Sequence, residues 1–133
     1  MPYLNIKLSG AASDETSKQV AEKLTYLTAE LLHKKRELTS VAVEFLPRDS
    51  WFIGGSSLTS RSEQSFFLDI KVTEGTNTKD EKAQFVEQAF QAIEGIVGAL
   101  ASASYIVIHA VPADAWGYQG QTQEYRYIKG KAL

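Results

Sequence analysis

The sequence predicts an α+β fold in which a β-α-β unit occurs twice, giving a four-stranded sheet with two helices on one face. Three observations predict it. First, Pro47, Asp49, Trp51 and Gly55 of "VAVEFLPRDSWFIGG" recur in order as Pro112, Asp114, Trp116 and Gly120 of "IVIHAVPADAWGYQG". "LNIKL" at Leu4 and "LDIKV" at Leu68 match at nearly the same offset, which gives a duplication of about 65 residues. Second, each half runs from a period-two apolar stretch to a period-3.6 stretch and back. Third, the strands alternate in one phase. Leu4, Ile6, Leu8, Val41, Val43, Phe45, Phe66, Leu68, Ile70, Val72, Ile106, Ile108 and Ala110 share one face.

The elements follow in order. Tyr3–Leu8 is the first strand. A helix over Ser13–Lys35 carries Val20, Leu24, Leu27 and Leu31 at spacings of three and four, with Asp14 and Glu15 at its positive end. "HKKR" at His33 complements the opposite pole of this helix. A strand over Val41–Leu46 ends at Pro47. The second half repeats the plan with a strand over Phe66–Thr73, a helix over Lys79–Ala101 and a strand over Tyr105–Val111 that ends at Pro112. Thr78 and Glu81 have capping-box spacing. The C-terminal "QEYRYI" alternates like a strand. Strand, helix, strand implies a parallel pair with a right-handed crossover. The chain, 1–133, is expected to be one domain of two repeats, about 2–64 and 65–133.

The face opposite the helices carries Tyr3, Asn5, Lys7, Glu44, Phe67, Asp69, Lys71, Tyr105, Val107 and His109. Parallel strands are usually covered on both faces. No third helix is expected, so the simplest cover is another copy of the chain.

Composition narrows the function. The net charge of −2 offers no nucleic-acid or membrane footprint. Cysteine is absent, which removes disulfides, thiol nucleophiles and cysteine zinc sites. With only His33 and His109 and no clustered acids, no metal site is expected. No phosphate loop, nucleophile elbow or H-E-x-x-H motif occurs. The N-terminus shows no basic-then-apolar leader and no stretch is long enough to span a bilayer, so a cytoplasmic protein is expected.

"MPYLNIKL", "ELTSVAVEFLP" and the aromatic-x-x-Gly-Gly hairpin "WFIGGSS", set in a doubled unit, resemble the tautomerase superfamily. That family includes 4-oxalocrotonate tautomerase and macrophage migration inhibitory factor, and the resemblance covers nearly the whole chain. It implies a tautomerase-like fold in its doubled form, a homotrimer, no cofactor, and an N-terminal proline acting as general base once the initiator methionine is removed. In this chain that proline is Pro2. An in-chain proline nitrogen is an amide. A terminal one is an amine, and ordinary α-amines titrate at about 7.7–8.0. Apolar burial lowers that value toward the range useful for abstracting a proton beside a carbonyl. Phe66 stands opposite Pro2 in the repeat, so at most one such base exists per chain.

The resemblance further assigns Trp51 to the pocket wall, with burial at a subunit contact as the alternative. Trp116 is taken as structural, because its half lacks the proline. Tyr105 corresponds to a tyrosine placed near the proline in the inhibitory-factor branch, with interface packing as the alternative. His109 is expected to be a hydrogen-bonded interface residue. The paired arginines of the short members are missing, since "SGAASDE" and "TEGTNTKDE" hold none and Ala42 and Val107 stand in the strand positions. Arg36, near the position of the inhibitory-factor lysine, and Arg126 in "QEYRYI" are the candidate substrate cations, with solvated surface charge as the alternative. The implied activity is keto-enol proton transfer on a small carbonyl compound or 2-oxo acid. The rivals are Pro2-dependent hydration or dehalogenation of unsaturated acids, and a non-catalytic oligomeric binding protein.

Overall fold

The computed structural model describes residues 2–131, with the side chain of Lys131 outside the description, as is Met1, on whose removal the catalytic reading depends. Strands β1 (Tyr3–Ser9), β2 (Ser40–Leu46), β5 (Phe66–Thr73) and β6 (Tyr105–Val111) form one sheet in the order β2-β1-β5-β6. Helices α1 (Asp14–Leu32) and α2 (Lys79–Val97) cross within each half. Between β2 and β5 lies a two-residue-strand hairpin, β3 (Phe52–Ile53) and β4 (Ser56–Ser57). After β6 come the matching β7 (Gly117–Tyr118) and β8 (Gln121–Thr122), then α3 (Gln123–Lys131).

The predicted phase holds. Leu4, Ile6, Leu8, Phe66, Leu68, Ile70 and Val72 are buried against Val20, Leu24, Leu32, Phe85, Ala89 and Ile93 of the helices. Each of these side chains other than Ala89 contributes about 1.5–3 kcal/mol. The opposite face exposes Tyr3, Phe67 and Tyr105, the last at 60%.

The helices end earlier than the periodicity suggests. His33 adopts a left-handed conformation (φ 58°) and Gly98 has φ 93°, so α1 and α2 stop at Leu32 and Val97 rather than Lys35 and Ala101. Ser13 caps α1, its hydroxyl accepting from Thr16 N–H at 3.2 Å. "HKKR" therefore lies beyond the last turn, which has no basic residue. His33 pairs with Glu81 (3.1 Å) and Lys34 donates to Thr76 (2.8 Å), so these side chains tie α1 to the second repeat rather than serve the helix pole.

"QEYRYI" is helical, not extended. Thr122 Oγ1 accepts from Tyr125 N–H at 3.0 Å, capping a segment whose Gln, Glu, Arg and Lys are good helix formers. The alternation of Tyr125 and Tyr127 was too short a signal to override this.

One feature of the topology places everything functional. β1 runs parallel to β2 and β5 parallel to β6, but β1 and β5 are antiparallel, Tyr3 facing Lys71 and Leu8 facing Phe66. The start of β1 therefore lies at the end where β5 and β6 finish. The second hairpin follows β6 and so belongs to that end. The first hairpin follows β2 and belongs to the other.

Candidate active site

Pro2 is buried at the head of β1. Its carbonyl accepts from Ser40 N–H at 3.3 Å, which fixes it beside the start of β2. Extending the β1–β5 register by one residue sets it against Val72 on the other side. Pro2 has no in-chain N–H to contribute, so a first-of-strand position costs no ladder bond.

Arg36 reaches the same end. It opens a 3-10 turn, Arg36–Leu38, closed by Thr39 N–H to Arg36 C=O at 3.1 Å, and β2 starts directly after it. The guanidinium is exposed. Arg126 also belongs to this end, through α3 and the second hairpin. Its guanidinium lies 3.8 Å over the Tyr118 ring, and Nη2 donates to Tyr118 C=O and Gln119 Oε1, each at 3.2 Å. Arg126 Nε is buried and has no hydrogen-bond partner among the described residues.

Within one chain the structure does not bring Trp51 or Tyr105 to Pro2. Tyr105 pairs with Phe67, which pairs with Lys7. From Pro2 to Lys7 along β1 is roughly 17 Å at about 3.3 Å per residue. Trp51 and Tyr105 instead share a cavity of about 360 Å3 with Phe52 and Phe67 at the far end.

The aromatic residue at the Pro2 end is Trp116. Its indole N–H donates to Thr73 Oγ1 at 3.2 Å, and Thr73 directly follows Val72. The sequence reading set Trp116 aside because its own half has no proline. The signal that would have found it is topological: once two parallel units join through antiparallel first strands, each hairpin serves the other unit's strand start. Lys34 lies at the same end of the sheet. Its ammonium donates to Thr76 in the loop after β5, and burial holds its pKa below the ordinary lysine value, against a smaller upward pull from Glu81.

His109 lies on the helix-free face, with Nε2 2.5 Å from Asp69 Oδ1, and Lys71 Nζ sits 4.0 Å from the same oxygen. Among the described residues no group of three or more His, Cys, Asp or Glu side chains could hold a metal ion. Arg48 is structural: it donates to the carbonyls of Leu58, Arg61 and Glu63 and to Gln64 Oε1, at 2.5–2.9 Å, pinning the first hairpin to the segment that joins the halves. No described helix is long and apolar enough to cross a membrane.

This geometry agrees with what the chain resembles. The family model described as tautomerase enzyme matches twice, over residues 2–61 and 67–125, one match per repeat. "Probable tautomerase K2" of Dickeya dadantii (strain 3937) is 33% identical over 66 residues, which is 49% of this chain and 98% of that protein. Among solved structures, the R7 fused 4-OT asymmetric trimer superposes with a TM-score of 0.83 at 17% identity, covering 94% of this chain and 98% of that one. A macrophage migration inhibitory factor homologue from Prochlorococcus marinus gives 0.73 at 23% identity, covering 90% and 97%. At these identities the superpositions show the fold.

Proposed function

The chain belongs to the tautomerase family, and on that premise we propose that it is a cofactor-independent keto-enol tautomerase whose general base is the Pro2 amine, freed by removal of Met1. The observation that carries this reading is the burial of Pro2 at the sheet end that also holds Trp116, Arg36 and Arg126. Apolar surroundings disfavour the ammonium form, so the freed nitrogen is largely unprotonated near neutrality. It takes a proton from the carbon beside a carbonyl and returns it at the other end of the enolate. The pyrrolidine ring fixes the lone-pair direction, which lowers the freedom lost on reaching the reactive geometry.

Charge developing on the enolate oxygen needs a donor. Arg36 and Arg126 are the arginines of this end, and Arg126 has an unused N–H. Trp116 walls the pocket from the same chain. Trp51 and Tyr105 reach a Pro2 only across a subunit boundary, as in a homotrimer built through the helix-free face. The trimeric state of fused 4-OT proteins supports that assembly. The substrate is a small carbonyl compound or 2-oxo acid.

The test is ketonisation of enolised phenylpyruvate by protein whose intact mass shows Met1 removed. Pro2→Ala is expected to lower kcat/KM by about 10²–10⁴, the usual worth of a positioned general base. Full activity in Pro2→Ala, or in protein that retains Met1, overturns the proposal. Dehalogenation of a haloacrylate without ketonisation would move the assignment to the hydratase branch. Absence of both activities would leave a binding protein.

A further inference from the structure

The two hairpins are copies of one device, yet their tryptophans are held differently. In each, the tryptophan carbonyl accepts a backbone N–H from beyond the turn. Leu58 N–H donates to Trp51 C=O and Gln123 N–H to Trp116 C=O, both at 2.9 Å. Both tryptophans are half-buried. The backbones are therefore fixed alike. What the backbone leaves free is rotation of the ring, whose outer torsion is only broadly restrained by sterics.

At Trp116 a hydroxyl removes that freedom. The indole N–H can donate but not accept, and it bonds Thr73 Oγ1 at 3.2 Å. Thr73 is a firm anchor. Its β-branching limits the directions its hydroxyl can take. It sits in the β5–β6 ladder opposite Val111, and its carbonyl accepts from Thr76 Oγ1 at 2.6 Å.

At Trp51 the anchor is diverted. In the register that aligns Leu68 with Leu4, Thr73 falls on Ser9. The Ser9 hydroxyl is already engaged, donating to Gln64 Oε1 (2.8 Å) and accepting from Ser65 N–H (2.9 Å). The Trp51 indole makes no hydrogen bond among the described residues. The duplication thus carries its own comparison: two equivalent tryptophans, of which the tied one stands at the Pro2 end.

We propose that Thr73 is a positioning residue, holding the Trp116 ring as a fixed wall of the Pro2 pocket. A wall ordered before the ligand arrives removes an ordering cost from binding. The role rests on the reading of Trp116 as the pocket wall. It concerns how ligand is held, not how the proton moves, and Thr73 acts through the indole rather than on the ligand.

Calorimetric titration of the full-length protein with cinnamate, together with the 15N–1H spectrum of its two tryptophan indoles, tests the role. Thr73→Val keeps the branching and removes the acceptor. It is expected to speed solvent exchange of the Trp116 indole proton and to leave that of Trp51 unchanged. It should weaken cinnamate by about three- to tenfold, the worth of one neutral hydrogen bond. Thr73→Ser should restore both properties. In a Trp116→Phe background, Thr73→Val should weaken cinnamate no further, because the hydroxyl has no indole left to hold. Thermal melts confirm that each variant is folded. Unchanged indole exchange in Thr73→Val, a released indole with unchanged affinity, an equal loss in Thr73→Ser, additive losses in the double variant, or no binding of cinnamate by wild type overturns the proposal. The expected pattern in a protein whose ketonisation survives Pro2→Ala would instead remove the catalytic reading and leave Thr73 as the anchor of a binding pocket.

Discussion

At the scale of single residues, the proposed chemistry depends on which side chains share an end of the sheet with Pro2. Trp116 does, through its 3.2 Å bond to Thr73, and Trp51 of the same chain does not. Trp116→Ala should therefore raise KM several-fold or more even in conditions that leave subunits dissociated, while Trp51→Ala should act only in the assembled protein. Steady-state kinetics over a range of protein concentrations separates the two. An equal, concentration-independent effect of both would contradict this assignment. In the proposed site, the half that lacks the proline furnishes the wall, a relation that comparing the repeats residue by residue does not reveal.

At the scale of elements, α2 has the best-defined boundary. Thr78 Oγ1 accepts from Glu81 N–H (3.1 Å) while Glu81 Oε1 accepts from Thr78 N–H (2.8 Å), the reciprocal pair anticipated from the spacing. Thr78→Ala should cost about 1 kcal/mol in chemical denaturation. The same bonds hold the Glu81 carboxyl below its ordinary pKa, the backbone bond to Thr78 first, then the Asn77 side chain, with His33 adding a smaller charge effect against desolvation. A depressed folded-state pKa stabilises above the unfolded value and loses that stabilisation as pH falls through the folded value. Stability should therefore decline in acid from about pH 4.3 downward, and Glu81→Gln should flatten that part of the profile. A slope unchanged in the variant would place the titration elsewhere. The second hairpin is equally constrained by one residue. A Cβ on Gly117 would lie 2.0 Å from the Gln121 carbonyl oxygen, so the strand pair that carries Trp116 toward Pro2 admits glycine alone.

At the scale of the whole molecule, the sheet has one face built into the core and one bearing Tyr3, Phe67, Tyr105 and the Asp69–His109 pair. Such a face asks for cover, and the proposed trimer supplies it. Analytical ultracentrifugation should show a species of three times the 14.7 kDa chain, and Phe67→Glu or Tyr105→Glu should shift it toward monomer. A wild-type monomer at tens of micromolar would remove both the trimer and the route by which Trp51 and Tyr105 reach a site. Much of this architecture was legible from the residues. Strand phase and helix period are local signals, and the duplication gave two chances to read each. What was not legible depended on long-range pairing. Nothing local in Tyr3–Ser9 says that it lies antiparallel to Phe66–Thr73, and that pairing decides which tryptophan, which loop and which lysine accompany Pro2. Lys34 reads as one charge in a basic run until its ammonium is found on the second repeat. The short α3 was hidden by two tyrosines at strand spacing.

The central claim is that the Pro2 nitrogen is a free amine in a partly dry setting, and the chain's three prolines make it directly measurable. In protein labelled with 15N-proline, the Pro47 and Pro112 nitrogens are amides and serve as fixed references through a pH titration. The account predicts that one resonance, Pro2, titrates with a midpoint below the α-amine range of about 7.7–8.0. Three non-titrating signals, or a Pro2 midpoint at or above that range, would contradict it.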